Sequence, residues 1–522
     1  MIDKNDNFIV WDLTKPIFFL PEEIKKIYAK NYRFYYKKYN LWINKISEDN
    51  SSNINWWFSR PASRDERLSN LYKNICIIKS LKDLDKLKIR IKIISNSSEL
   101  KRFTKNYKIK NIEIITKKNN IILRIFIFFK EIIILKLSII LSKIFSKYDF
   151  LKKNENNLID YFDFKKRGSV NKLFGNAVKN TSHKLLFVPT FVSFSFRNYF
   201  KYRNKKNLLI KEYFLSFFDL IFIIKNLFLK NIIIKHKFIY NDYRKIILEE
   251  FDIDNNFRSI ITAYVNYLFF KRLKLKGINF KNIISWHENQ LVDKGWSFGI
   301  KKYFPKTNYI GYQGSTLHPH FFNLSQTQEE VNAGCAPKNI ILIGKKYKKN
   351  RSIFFKKINL KYTNFHRFSF EKNYSNKKYI LFLLSGIKEI DKLLISIFKY
   401  VKGLGYKNLK IKFHPILTSN NLNEKFKEEI KGNGSKIINL SKIVITTSYT
   451  SGLYESLARN SFTIMVNTNP LDQILFQDLK KYSKRVLFLE KISTLEKSLN
   501  KILKKKMKFS DNKKIKYNFF NK

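Results

Sequence analysis

After about residue 345 the chain settles into a regular change of period, and this constrains its fold more than any other feature. The run "KKYILFLLSG" (377–386) is a short apolar stretch ending in a glycine turn, the pattern of a buried strand. "IKEIDKLLISIFKYVKGLG" then carries apolar residues at helical spacing and stops at Gly403 and Gly405. "NLKIKFHP" predicts the next strand, "LNEKFKEEIKGNG" a helix, "SKIVITTS" a strand, "SGLYESLARN" a helix and "SFTIMVN" a strand. Strands joined through helices pair in parallel, because the helix returns the chain to the same end of the sheet. The expected class is α/β with a doubly wound, mostly parallel sheet.

A second unit of this kind ends just upstream. "GINFKNIISWHENQ" leads a strand into a polar cluster, and "LVDKGWSFGIKKYFP" follows as a helix. "TNYIGYQGST" and "PKNIILIGKKY" predict two further strands. Two Rossmann-like domains facing across a cleft, with a linker near 345–375, are therefore expected. Residues 1–345 form the first, with a helical insertion around 119–234, and 346–500 the second; 501–522 is a basic tail. In residues 1–120, "NINWWFSRPASRDERLSNLY" predicts a loop carrying aromatic and charged residues ahead of a helix.

The 522 residues give enough length for two cores, and 44% hydrophobic with 16% aromatic content excludes a disordered chain. The formal net charge is +61. Lysine far outnumbers arginine, and Ile, Asn, Phe and Tyr are abundant; AT-rich codons encode that set, so base composition accounts for part of the charge. Such a surface attracts anionic membranes, nucleic acid and phosphorylated substrates. There is no zinc-ligand spacing, RRM-like aromatic run or helix-turn-helix signature, and the lysines are scattered, so nucleic acid is not the expected partner. The tail "KILKKKMKFSDNKKIKYNFFNK" and the run "GKKYKKNRSIFFKK" read as solvated faces. Two cysteines, Cys76 and Cys335, suit a reducing cytoplasm. The start "MIDKNDNFIVWDLTKP" mixes in acids and predicts no signal peptide.

Apolar runs at 119–145 and 213–234 are broken by charges before the ~18 residues a spanning helix needs. Arg124, Lys130, Glu131 and Lys136 do not leave one clean apolar stripe, which favours helices buried within a domain. A helix lying on an anionic bilayer is the alternative, and a peripheral protein fits both.

The polar residues gather at expected strand ends. Pro415 closes its strand and leaves His414 at the carboxyl end, where α/β folds place ligands. "VITTSYTSGLYESLA" supplies a strand, a hydroxyl-rich turn and a helix start. Thr447, Ser448, Thr450, Ser451 and Gly452 fall where free N–H groups meet an anion, although N-capping explains Ser448 and Ser451 taken alone. Glu455 is placed to accept from ribose hydroxyls, and Ser385 and Gly386 end the neighbouring strand on the same edge. Together these residues predict a nucleotide-phosphate site, with a protonated His414 adding a charge-assisted bond.

The pairing of "KFHPIL" with "VITTSYTSGLYESLARNSFTIMV" resembles the donor-binding half of GT-B glycosyltransferases, in particular bacterial enzymes that use CMP-activated Kdo or sialic acids. "WHENQLVDKGWSFGIKKYFPKTNYIGYQGSTLHP" resembles the end of the acceptor domain in bacterial surface-carbohydrate biosynthesis proteins, with Gly314 where a His often stands in that turn. The resemblance covers roughly residues 280–475. It implies cytoplasmic sugar transfer from a nucleotide donor, CMP-linked and used as substrate with no separate cofactor, onto a capsule, O-antigen or lipid-linked glycan.

Transfer requires a carboxylate, as base or nucleophile. Glu288 in "SWHENQ" is the candidate, with His287 or Gln313 orienting groups around it; Asp65 and Glu66 stand in reserve. Arg60 and Arg64 are candidates for an anionic acceptor, and Trp56, Trp57 and Trp286 for sugar stacking or the core. "DLD" at Asp83–Asp85 and "DID" at Asp252–Asp254 lack the strand-end context for a metal, and His318 and His320 read as structural, so no metal is expected. A catalytically idle glycan- or membrane-binding scaffold and a charge-driven nucleic-acid binder are the other readings, and a CDP- or UDP-linked donor stays open.

Overall fold

The computed structural model describes residues 2–3, 8–117, 121–146, 148, 156–163, 185–191, 196–202, 207–229, 231–239, 241–252, 257–316, 318–363, 370, 377–417, 419–432, 434–504 and 513–521. Fifteen strands lie among them. Strands β1 (Ile2–Asp3), β2 (Phe8–Asp12), β3 (Ile91–Ser95) and β4 (Ile112–Thr116) form one small sheet in sequence order, parallel except for β1. Strands β5 (Asn156–Asp163), β6 (Leu185–Phe191), β7 (Phe280–Trp286), β8 (Asn308–Tyr312), β9 (Asn339–Leu342) and β10 (Asn359–Tyr362) form a parallel sheet ordered β10-β9-β8-β7-β5-β6. Strands β11 (Tyr379–Leu383), β12 (Leu409–Lys412), β13 (Ser441–Thr446), β14 (Phe462–Val466) and β15 (Val486–Leu489) form a second one, ordered β12-β11-β13-β14-β15.

Both larger sheets are doubly wound in the same sense: the second strand lies outside the first, and the third begins on the other side. The direction of winding therefore reverses beside β5 and beside β11, the positions where doubly wound sheets place ligands at the carboxyl ends of their strands. The α/β class and the two Rossmann-like halves are as expected. The small N-terminal sheet is an addition, since no strand was expected in residues 1–120. Its first crossover takes in the long helix Glu22–Asp49 and the helix Leu71–Asp85, and it buries Trp56 and Trp57 completely.

Three further differences bear on function. The run "LNEKFKEEIKGNG" (422–434), expected as a helix, forms turns over 423–431, with an α-helix beginning only at its last residue (Gly434–Asn439). Asn423 and Gly432 adopt positive φ there, which breaks a helical ladder. The tail, expected to be a solvated face, carries the helix Lys513–Phe520. Ile515, Phe519 and Phe520 are buried against Tyr347 on one side and Tyr454 on the other, so this helix helps join the two larger sheets. The β10 strand also lies beyond the expected boundary at 345, and residues 364–369, 371–376 and 505–512 lie outside the described set.

Candidate functional site

The carboxyl ends of the two larger sheets meet. The loop after β8 brings Phe321 against Tyr449, with ring centroids 5.2 Å apart, and places His318 Nε2 3.7 Å from Asp472 Oδ1. His320 and Lys346 both reach Asp478, at 3.3 and 2.8 Å. The turn at 64–67, from the small sheet's crossover, enters the same seam: Asn469 Nδ2 donates to Glu66 Oε2 at 3.4 Å and to the Tyr449 hydroxyl at 2.9 Å.

Glu288 stands at this seam, two residues past β7, with its side chain 13% exposed. Its Oε1 accepts from Trp286 Nε1 at 3.0 Å and from Ser315 Oγ at 2.6 Å, and its Oε2 accepts from Gln290 Nε2 at 2.9 Å. The Arg67 guanidinium lies 3.7 Å from Oε2 while making a two-pronged pair with Asp65 at 2.9 and 2.7 Å. The backbone is pinned as well. Asp293, at the third position of the next helix, accepts from the N–H groups of Glu288 and Gln290, and burial pushes its carboxyl up to about 8.

His287 and Gln313 lie beneath Glu288, fully buried. Gln313 Oε1 accepts from Arg351 Nε and Nη2 at 3.3 and 3.2 Å, and Arg351 also reaches the His287 carbonyl. Burial, with Arg351 beside it, pushes the His287 imidazole well below its usual value. Both residues are buried among the strand ends, and Gln313 Nε2 donates to the Ser315 carbonyl at 3.2 Å, next to the serine that bonds Glu288.

Of the reserve carboxylates, Asp65 is taken up by Arg67. Glu66 is buried, and burial lifts it to about 7 although Tyr32 and Asn469 donate to it. Arg64, proposed for an anionic acceptor, instead enters a buried ion cluster. It bonds Glu330 Oε2 at 2.7 Å, while Lys294 pairs with Oε1 of the same carboxylate. Burial opposes the charge, yet Arg64 and Lys294 hold Glu330 down to about 2. Arg60 is half-buried at the start of the short helix Arg60–Ser63. Trp286 is buried like Trp56 and Trp57.

On the opposite wall, His414 and Gly386 touch. Gly386 has φ +85°, and a Cβ there would fall 2.6 Å from His414 Nδ1. His414, Pro415, Ile416 and Leu417 form a tight turn, closed by the Leu417 N–H on the His414 carbonyl, with the Ile416 N–H donating to Nδ1 at 3.3 Å. Gly452 packs on Leu383 at the end of β11, and Thr446 Oγ1 donates to the Leu383 carbonyl. The strand ends thus converge as expected.

Several of their donors and acceptors are nevertheless occupied. Ser385 donates to Asp391 Oδ1 through both N–H and hydroxyl, and the Gly386 N–H donates to Oδ2. Ser448 donates to Asp472, and Glu455 pairs with Arg459 at 2.9 Å. Thr447 is buried. Thr450 Oγ1 accepts from the Gly452 N–H, and Ser451 is half-buried without a side-chain cap bond. The helix Gly452–Ala458 has only seven residues, so its dipole is modest.

Among the described residues no group of three or more His, Cys, Asp or Glu side chains could hold a metal ion, and no helix is long and apolar enough to cross a membrane. Asp254 lies outside the described residues. Sequence reasoning missed Arg67, Tyr449, Asn469 and Asp472. Arg67 and Tyr449 sit inside the quoted runs "ASRDER" and "TTSYTSG", but nothing local marks them as meeting at a seam.

No family model matches the chain, and no curated protein matches it. Solved structures that align with it include Acinetobacter baumannii MurG, at 8% identity and TM-score 0.34, covering 68% of this chain and 91% of that one. S. aureus MnaA in a UDP co-structure aligns at 10% identity and TM-score 0.38, covering 70% and 92%. The kitacinnamycin glycotransferase aligns at 7% identity and TM-score 0.40, covering 67% and 91%.

Proposed function

We propose that the chain is a glycosyltransferase that moves a sugar from a nucleotide donor, CMP-linked, onto a growing surface polysaccharide or lipid-linked glycan at the inner face of the plasma membrane. The observation that carries the reading is Glu288. It is a partly open carboxylate clamped by Trp286, Ser315 and Gln290, at a seam faced by the strand ends that bear His414 and the 447–452 turn. A carboxylate so held accepts the proton of an incoming hydroxyl while that oxygen bonds to the anomeric carbon. The bond from that carbon to the phosphate oxygen breaks with its electrons staying on the nucleotide, and His414 and the turn hydroxyls stabilise the departing charge.

A second reading, a catalytically idle scaffold, draws support from the internal pairing of Ser385, Ser448 and Glu455. Calorimetric titration of CMP, CDP, UMP, UDP and GDP into wild type and His414→Ala at moderate salt separates the readings. Selective CMP binding lost in the variant supports the CMP-linked donor; preference for a diphosphate keeps transfer and changes the donor. Equal, weak binding of every nucleotide, unchanged in the variant, sinks the donor site.

A further inference from the structure

We infer that the exposed apolar face of the helix Ile121–Phe145 is a docking surface for an anionic lipid bilayer, lying in the plane of the membrane. The inference rests on the membrane-surface part of the proposed function and is independent of its sugar chemistry. The sequence expectation of a buried helix holds for one side only: Phe128, Leu135, Ser138, Ile139 and Ser142 are buried. On the other side Ile122, Phe126, Phe129, Ile133, Ile140 and Ile144 are 79, 65, 56, 56, 44 and 63% exposed. Their spacing of three, four and seven keeps them on a single stripe roughly 33 Å long, at 3.6 residues per turn and 1.5 Å per residue. A second helix, Phe217–Phe228, meets it through the Phe128–Phe228 ring contact of 5.2 Å and exposes Phe217, Phe218 and Ile221 on the surface. An apolar face of this extent is not a normal feature of a water-exposed monomer surface.

The charges identify the occupant. Lys130 falls on one flank of the stripe and Lys136 and Lys143 on the other, roughly 50–75° from its centre at 100° per residue. All three are exposed. That is where long basic side chains reach headgroup phosphates while the stripe between them enters the acyl boundary. The acids are turned away: Glu131 lies on the opposite side of the helix, lining a pocket with Lys211 and Arg258, and Asp219 of the second helix is buried against Arg272. A second copy of this chain on the same face would bring the two sets of lysines together with no acid from either helix to pair them. A bilayer carrying negative headgroups satisfies both the apolar stripe and its flanks.

Since a net charge of +61 adsorbs to anionic vesicles without any insertion, the test reads depth. The full chain, carrying Phe129→Trp or the control Tyr400→Trp, is mixed with phosphatidylcholine/phosphatidylglycerol vesicles brominated along the acyl chains. All six native tryptophans are buried, so the added ring dominates the quenching. The expected result is quenching of more than half the added signal at position 129 and little at 400. At about 0.5 M salt, where charge-driven adsorption is screened, a tenfold loss of vesicle co-flotation in the triple variant Phe126→Ser, Phe129→Ser, Ile133→Ser is also expected, with far-UV circular dichroism unchanged. Equal quenching at both positions means adsorption by net charge, and unchanged flotation of the triple variant in that salt means that another surface holds the vesicle; either result overturns the inference. So does a wild-type dimer that the triple variant abolishes and that fails to bind vesicles. No nucleotide or acceptor is present, so failure here leaves the transferase reading standing.

Discussion

The Trp286 ring occupies the space that any side chain at position 314 would need. A Cβ on Gly314 would sit 2.0 Å from Trp286 Cζ3, and the same indole donates through Nε1 to Glu288. The glycine in the "GYQGST" turn therefore belongs with the tryptophan that holds the candidate carboxylate. Gly314→Ala is expected to displace the ring and cost about 1–3 kcal/mol by overpacking. Thermal denaturation measures the loss, and the shift in tryptophan emission reports the displaced indole.

Glu288→Gln keeps the shape of the side chain and removes its ability to take a proton. Transfer is expected to fall about 100- to 10,000-fold. Nucleotide affinity, read on the opposite wall, should stay within about twofold. A variant retaining more than a tenth of wild-type turnover would move the role to another carboxylate, Glu66 first.

The buried Arg64–Glu330–Lys294 cluster makes a stability prediction with a defined sign. Glu330→Gln leaves two cations buried with a weaker partner, and a loss of roughly 3–5 kcal/mol is expected in urea unfolding. The carboxyl of Glu330 is held at about 2, below the ordinary value of 4.5. Its contribution is therefore complete above pH 4.5 and disappears as pH falls towards 2. The difference in stability between wild type and variant should shrink over that window.

Glu66 works in the opposite direction. Its folded form titrates near 7 and its ordinary value is 4.5, so the native state keeps a proton that the unfolded chain has released. Its contribution is complete below pH 4.5 and is lost as pH rises to 7, with each pKa unit worth about 1.4 kcal/mol. Glu66→Gln should flatten the decline of stability between pH 5 and 7, followed by chemical denaturation at a series of pH values.

At Gly386 the backbone has φ +85° and the His414 ring lies against it. Gly386→Ala is expected to weaken nucleotide binding at least tenfold by pushing the imidazole aside, while backbone strain alone costs about 1–3 kcal/mol. Titration of CMP into the variant, beside its melting temperature, separates the two effects. Wild-type affinity in a folded variant would remove His414 from the donor site.

The strands β11 to β14 and the helix after β11 were legible because each carries its own period and its own stop signal, as at Gly403. The turns at 423–431 were misread because "LNEKFKEEI" has helical composition, while Lys399 and Lys402 of the preceding helix draw Glu424 and Glu428 into ion pairs of 2.7 Å. The helix at 121–145 was legible as a helix. Which of its sides meets solvent was not, because that depends on what packs beneath Phe128 and Leu135.

The sequence by itself determined the α/β class, the two doubly wound sheets and the gathering of polar residues at their carboxyl ends. Those follow from side-chain period and from glycine and proline, which act within a few residues of themselves. Tertiary structure alone decided which of those polar groups stay open. Asp391 and Asp472 are satisfied by Ser385 and Ser448, Arg64 goes to Glu330, and Glu288 is left at the seam beside Arg67. A hydrogen bond forms only where donor and acceptor come within about 3 Å. For residues up to hundreds of positions apart, the packing of the sheets sets that distance.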